Sequence, residues 1–291
     1  MIHVVESTTA AADPAVAPRL TTRLSWAAAI LMAVGSALGL LRPGIYAETD
    51  AVRAMFRGYD LIIALVAVPV LVATLLRPPS PLGRLVSAGV LGFSVYIYAY
   101  YVFGLAFNAL FLVHVAAFVA TSVALVLTVR SLYPVAITWP LRPARTAAAL
   151  LAFLGVSLGA MWASRSLAHA MGGGVPADAS LLVGAPGLTH LGYAMDLAVL
   201  VPLYIAASVG IWRRRPWGYV AGGIALVAGT VTQFTYVSAM VFQAVAGIPG
   251  ARAFDPYEPL IIAAYVVGGI SLLGAIRAAG VPARAERNLG G

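Results

Sequence analysis

Apolar positions along this chain come in long runs, separated by short stretches that gather the charged, proline and glycine residues. Crossing the hydrocarbon core of a bilayer takes roughly 20 apolar residues of helix, with ~17–25 tolerated. Eight runs reach or approach that length: 24–41, 61–76, 85–103, 105–129, 146–163, 191–212, 217–245 and 259–276. The second is short and must borrow Gly58 and Tyr59 at one end. The third and fourth form one charge-free stretch from Leu85 to Val129, too long for a single span at ~1.5 Å per residue. It must fold back, most simply near Gly104 to Asn108, as a tight helical hairpin. The pattern predicts an all-α, polytopic transmembrane bundle of about eight spans over residues 24–277, with no separate soluble domain. Residues 1–23 read as a disordered cytoplasmic segment and 278–291 as a cytoplasmic tail. The segment 129–145, with Tyr133, Pro134, Trp139, Pro140 and Pro143, reads as lying along the membrane interface.

Composition sharpens this picture. Of 291 residues, 62% are hydrophobic and 10% charged. Mean hydropathy is +0.94. A soluble domain carries about 25% charged residues, so the apolar excess must face lipid. The net charge of +8 does not point to nucleic acid, because the arginines cluster between apolar runs as the positive-inside rule requires. With the N-terminus inside, the inner connections receive Arg19, Arg23, Arg77, Arg84, Arg130, Arg142, Arg145, Arg213 to Arg215, Arg277, Arg284 and Arg287. The outer side keeps Arg42, Arg53, Arg57, Arg165 and Arg252. Both termini are therefore expected in the cytoplasm, and the uncleaved first run acts as an anchor in a bacterial cytoplasmic membrane. Every basic residue is arginine, which fits GC-rich coding, and the lack of lysine excludes a retinal-type Schiff base. The lack of cysteine excludes disulfides, thiolate catalysis and iron–sulfur clusters.

The two halves echo each other. Asp60-Leu61 opens the second run and Arg77 closes it, while Asp196-Leu197 and Arg213 stand at the same interval in the sixth. Each run has an internal proline, Pro69 and Pro202, and SALGLL in the first run resembles VSLGAM in the fifth. Two parallel four-helix repeats, 24–129 and 146–277, would explain this; an even number of spans per repeat makes them parallel. Chance alignment of Leu/Ala/Val-rich helices is the plain alternative.

Polar groups inside the runs mark where chemistry can reside, because each is costly in hydrocarbon. They gather toward the expected outer face. His114 stands alone in FLVHVAAF; imidazole there can be a base, a proton relay or a ligand, or a neutral group bonded to a tyrosine or carbonyl. His190, Tyr193 and Asp196 share one helix face at i, i+3, i+6. Asp196 can bind a cation or shuttle a proton, or simply complement a helix N-terminus, as Asp60 can. Tyr96 is the deepest of the YIYAYY run, whose Tyr100 and Tyr101 fit an interfacial aromatic belt. Gln233 and Tyr236, Asn108, and Glu258, which can pair with Arg42, complete the candidates. The one-sided distribution predicts an outward-open cavity lined by His114, Asp196, Tyr96 and Gln233. No metal or other cofactor is expected, since no HExxH, phosphate-loop or GxSxG pattern occurs. The glycines at Gly35, Gly39, Gly155 and Gly159 have the small-xxx-small spacing of close helix packing.

Three stretches, GIYAETDAVRAMFRGYDLIIALVAVP (44–69), YYVFGLAFNALFLVHVA (100–116) and GYAMDLAVLVP to IWRRRPWGYV (192–220), together resemble a group of uncharacterised bacterial and archaeal polytopic membrane proteins. The resemblance covers most of the chain and implies fold and membrane location, without an activity or a catalytic residue. From the residues themselves, the first expectation is a non-enzymatic bundle that binds or moves a small solute, ion or lipid. Its rivals are an intramembrane enzyme or metalloprotein using His114, His190 and Asp196, with Glu258 as a further candidate, and a helper subunit of a membrane complex.

Overall fold

The computed structural model describes residues 16–132, 141–173, 181 and 186–279. The expectations for 1–15, for 133–140 of the interfacial segment and for all but the start of the C-terminal tail fall outside them. Among the described residues there is no strand, and eight helical rods follow one another. They are α1 (Val16–Leu41), α2 (Asp50–Leu76), α3 (Pro81–Gly104), α4 (Phe111–Leu132), α5 (Leu141–Ala170), α6 (Leu188–Trp212), α7 (Pro216–Val245) and α8 (Glu258–Ala279). The first seven are long and apolar enough to cross a membrane; the apolar part of α8, Glu258–Gly274, is shorter. The chain is a multi-pass membrane bundle.

Two ends differ from expectation. The first helix reaches back to Val16, taking in Arg19 and Arg23, so the segment expected to be disordered is helical over its last turns. Pro18 falls in the first turn, where its missing N–H costs no helical bond. The second helix begins at Asp50 rather than Leu61. Its added turns are amphipathic: Val52, Met55, Phe56 and Tyr59 are buried while Asp50 is exposed and Arg53 and Arg57 are partly exposed. Thr49 caps it, its hydroxyl accepting from the Val52 amide at 3.4 Å. A hydropathy scan overlooks such a helix because its mean, unlike its pattern, is not apolar.

Each half closes into a ring. In the first, α1 packs on α2, α2 on α3, α3 on α4, and α4 back on α1; in the second, α5, α6, α7 and α8 repeat that order. The rings meet where α7 packs against α2 and α3, and where the start of α6 meets the end of α3. Contact between α2 and α7 is close enough that a Cβ on Gly58 would lie 2.6 Å from the Ala239 backbone. Gly155 and Gly159 face Tyr204, Ile205 and Val201 on α6, as packing glycines should.

Three helices open into π-helical turns: Ile63–Ala67 in α2, Tyr100–Gly104 in α3 and Asp196–Leu200 in α6. In α2 and α6 the cause is proline. Pro69 and Pro202 lack an N–H and crowd the carbonyl four residues back, which lies within the widened turn in each case. Turns of this kind recur at functional sites, and all three border the polar groups described next.

Candidate functional site

Polar side chains at the end of the bundle where α2, α4 and α6 begin form two clusters, one on each side of α3. Periodicity explains the division. Tyr96 and Tyr100, four apart, share one face of α3, whereas Tyr98 and Tyr101, three apart, share another.

The first cluster centres on Asp60, which is only 1% exposed. Tyr46, in the connection after α1, donates to Oδ2 at 2.7 Å, and Tyr101 donates to Oδ1 at 2.8 Å. Gly39 makes the space: a Cβ there would lie 2.0 Å from Asp60 Oδ2. His114 closes the cluster from α4. Its ring centroid is 4.6 Å from that of Tyr101, 6.0 Å from Tyr98 and 6.4 Å from Tyr46. His114 Nδ1 is buried and has no hydrogen-bond partner. Gly35, one turn before Gly39, borders the same ring. His114 is thus packed by its ring rather than tied by a bond to tyrosine or carbonyl at Nδ1.

The second cluster centres on Asp196, 8% exposed at the first residue of the π-turn in α6. Tyr96 donates to Oδ1 at 2.6 Å and the Trp162 indole of α5 donates to Oδ2 at 2.8 Å. The Tyr96 and Tyr100 hydroxyls are 2.9 Å apart. Tyr193 stacks on Trp162, centroids 4.0 Å apart, and its own hydroxyl is buried without a partner. Arg165 lies over the other part of this aromatic group, 5.3 Å from the Trp162 centroid.

The remaining candidates lie elsewhere. Gln233 donates to Glu258, joining α7 to α8, so Glu258 is held by Gln233 rather than by the exposed Arg42. Tyr236 packs against the core beside Asp60's helix. Asn108 caps the turn between α3 and α4: its Oδ1 accepts from the Leu110 amide at 2.9 Å and its Nδ2 donates to the Ala106 carbonyl at 3.0 Å. It is a turn-former. His190 is exposed.

The structure therefore brings Tyr96 to Asp196 and His114 to Asp60, but does not gather His114, Asp196, Tyr96 and Gln233 around one hollow. Two hollows stand out, of about 350 and 340 Å³, and none of those four residues lines either. The polar asymmetry noted in the sequence arises from packed carboxylate–aromatic clusters. A trio of His114, His190 and Asp196 is likewise not assembled: among the described residues no three His, Cys, Asp or Glu side chains converge as a metal site would need. Tyr101, expected in an interfacial belt, is 1% exposed and bonded to Asp60. Sequence reasoning missed Tyr46, Tyr98 and Trp162. Trp162 had a legible signal, being a lone indole in an Ala/Gly-rich span. Tyr46 had none, since it reaches Asp60 only through the fold of the connection.

Chemically, each cluster places one carboxylate between two donors of opposite approach and gives it no cationic hydrogen-bond partner among the described residues. Such a group can take up and release a proton with little rearrangement, because a neighbouring phenol can reverse from donor to acceptor. Comparison with protein-family models, with curated proteins and with solved structures finds no match.

Proposed function

We propose that this protein is a non-enzymatic bundle that binds or moves a small solute, ion or lipid in a bacterial cytoplasmic membrane, with both termini in the cytoplasm. Proton or cation occupancy of Asp60 and Asp196 accompanies that work. The arginine bias supports the orientation. The observation that carries the reading is the pair of carboxylates enclosed among membrane-spanning helices, each held by two aromatic donors.

Magnitudes favour a working role over simple adhesion. An acidic side chain at mid-helix costs ~2.5–3.5 kcal/mol on insertion scales. A polar contact between membrane helices averages ~0.6 kcal/mol. Adhesion alone is served without charge, as Tyr204 and Tyr265 do with hydroxyls 2.9 Å apart between α6 and α8. Two carboxylates placed at that cost therefore read as groups whose charge changes during function.

The test is reconstitution into liposomes loaded with a pH-sensitive dye, with a panel of sugars, amino acids, organic acids and cations added outside. Wild type is expected to couple proton or cation movement to one solute class, and Asp60→Asn and Asp196→Asn to lose the coupling while remaining folded. Absence of any such movement in wild type, or undiminished movement in both variants, overturns the proposal.

A further inference from the structure

The carboxylate clusters leave unexplained a second feature at the same end of the bundle. A hollow of about 350 Å³ is lined by Gly44, Asp50, Arg53, Ala54, Arg57 and Ala246. That volume lies at the small end of the ~300–1,000 Å³ typical of ligand sites. Arg53 and Arg57 are one turn apart on α2, so both belong to the same helix face.

The charges there are unbalanced. Asp50 is paired with Arg53, the one ion pair among the described residues. Arg57 forms no ion pair among the described residues, though its charge acts on Asp60. Asp60, one turn deeper, has both oxygens taken by Tyr46 and Tyr101. Arg57 lies over the Phe242 ring at 5.6 Å, and its Nε is buried without any hydrogen-bond partner. It stands seven residues in from Asp50, about 10 Å along the helix. A guanidinium at that depth needs either water or a counter-anion, and a buried donor left unpaired costs roughly 1–3 kcal/mol, more when charged. Asp50 answers Arg53, and Asp60 acts on Arg57 only through charge at longer range, so the Arg57 guanidinium borders the hollow with its Nε unbonded.

We propose that this hollow is an oxyanion site, in which Arg57, with Arg53 beside it, holds a phosphate group. Guanidinium suits the task because its planar fork offers paired donors to a tetrahedral oxyanion. The apolar wall of Ala54 and Ala246 lets glycerol or acyl carbons follow the phosphate, while the hollow also admits free phosphate. The site lies beside the Asp60 cluster, but holding a phosphate there does not require Asp60 or Asp196 to change charge.

Full-length protein purified in a neutral detergent is titrated with inorganic phosphate in one arm and with short-chain phosphatidylglycerol in the other, short-chain diacylglycerol, which has no phosphate, serving as control. Thermal unfolding reports binding. Phosphate stabilisation marks a free oxyanion; stabilisation by phosphatidylglycerol alone marks a lipid headgroup. In either case Arg57→Gln is expected to weaken binding by about tenfold or more, and Arg252→Gln to leave it unchanged. Ala246→Leu fills the hollow from an exposed position while keeping both arginines, and is expected to weaken binding as well, which covers the case of a poorly folded Arg57 variant. No stabilisation of wild type by either probe beyond the diacylglycerol control, or full binding by Ala246→Leu and Arg57→Gln alike, overturns the assignment.

Discussion

Asp60 and Asp196 are built from the same parts and enclosed to different degrees. Each accepts two hydrogen bonds from aromatic donors, and α3 supplies one of them in both cases, Tyr101 to Asp60 and Tyr96 to Asp196. Asp60 lies inside a box of Tyr46, Tyr98, Tyr101, Phe56 and His114, with Gly39 against one oxygen. Asp196 is more exposed, at 8% against 1%, although donors in both clusters keep alternatives, Tyr101 also reaching the Phe56 carbonyl at 3.4 Å. Tyr96 has Tyr100 as well, and Gly192, beside Tyr100, has ordinary room. The difference lies in position relative to the proline kink. Asp60 is nine residues before Pro69 and Asp196 six before Pro202, so one carboxylate stands a turn outside the widened backbone and the other begins it. Equal chemistry with unequal enclosure assigns Asp60 the more rigid role and Asp196 the more accessible one.

The strongest way to break that contrast is to add a methyl to each cradle. Gly39→Ala would place a carbon 2.0 Å from Asp60 Oδ2, and 2.4 Å from the Tyr46 hydroxyl. Carboxylate and phenol must both move, so overpacking of ~1–3 kcal/mol adds to weakened hydrogen bonds. A large fall in thermal midpoint in detergent is expected. Gly192→Ala meets only the Tyr100 hydroxyl at 3.4 Å and is expected within ~0.5 kcal/mol of wild type. Equal midpoints for the two variants would mean that the cradles are not unequal.

Removing the acids comes next. Asp60→Ala strands the Tyr46 phenol and leaves Tyr101 only its long bond of 3.4 Å to the Phe56 carbonyl, at roughly 1–3 kcal/mol for each buried group left unsatisfied. Asp196→Ala strands the Trp162 indole but leaves Tyr96 bonded to Tyr100, so a loss of about 1–2 kcal/mol is expected. Denaturant titration in mixed micelles ranks them. The reverse order would show that burial does not set the energetics here.

How much of this was legible in advance follows from what each feature depends on. Spans, turn and helical class come from runs of apolar residues, a local property, and the hairpin turn expected near Gly104 to Asn108 is found after Gly104. The start of α2 was hidden because AVRAMFRGYD is apolar on one face only. Asp60, Asp196, Tyr96 and His114 were recognisable as polar groups in apolar surroundings. Their sorting into two clusters was not, because it depends on which face of α3 each tyrosine occupies and on helix rotation set by packing. The expectation of one cavity came from counting polar residues at one depth without their azimuth. Tyr46 could be assigned only once the connection 42–49 was folded over α2.

A smaller effect separates donor from stacking partner. Trp162→Phe keeps a ring against Tyr193 and removes the Nε1 donor to Asp196. Hydrogen bonds to charged groups contribute ~1.5–3 kcal/mol, less where water can substitute, so a loss near 1 kcal/mol is expected. Tyr101→Phe removes the matching bond to Asp60 where water has little access, and should cost about twice as much. Thermal midpoints of the two variants, measured side by side, give the ratio; a ratio below one would reverse the assignment of rigid and accessible sites.

The smallest expected change in stability belongs to the most informative residue. His114 is 1% exposed, yet its Nδ1 bonds to nothing. If the ring only fills space among Tyr46, Tyr98 and Tyr101, then His114→Phe keeps an aromatic body there and removes an unsatisfied polar atom. Stability should change by less than ~1 kcal/mol and can rise. A basic nitrogen kept at a position where phenylalanine is tolerated needs another reason, and the carboxylate one aromatic layer away supplies it. Tyr101 touches both, donating to Asp60 and stacking on His114. The expected signature is a split: folding of His114→Phe unaffected, proton-linked movement in liposomes reduced. Unimpaired movement would make His114 packing alone, whereas a large loss of stability would show that its other ring atoms hold the first cluster together.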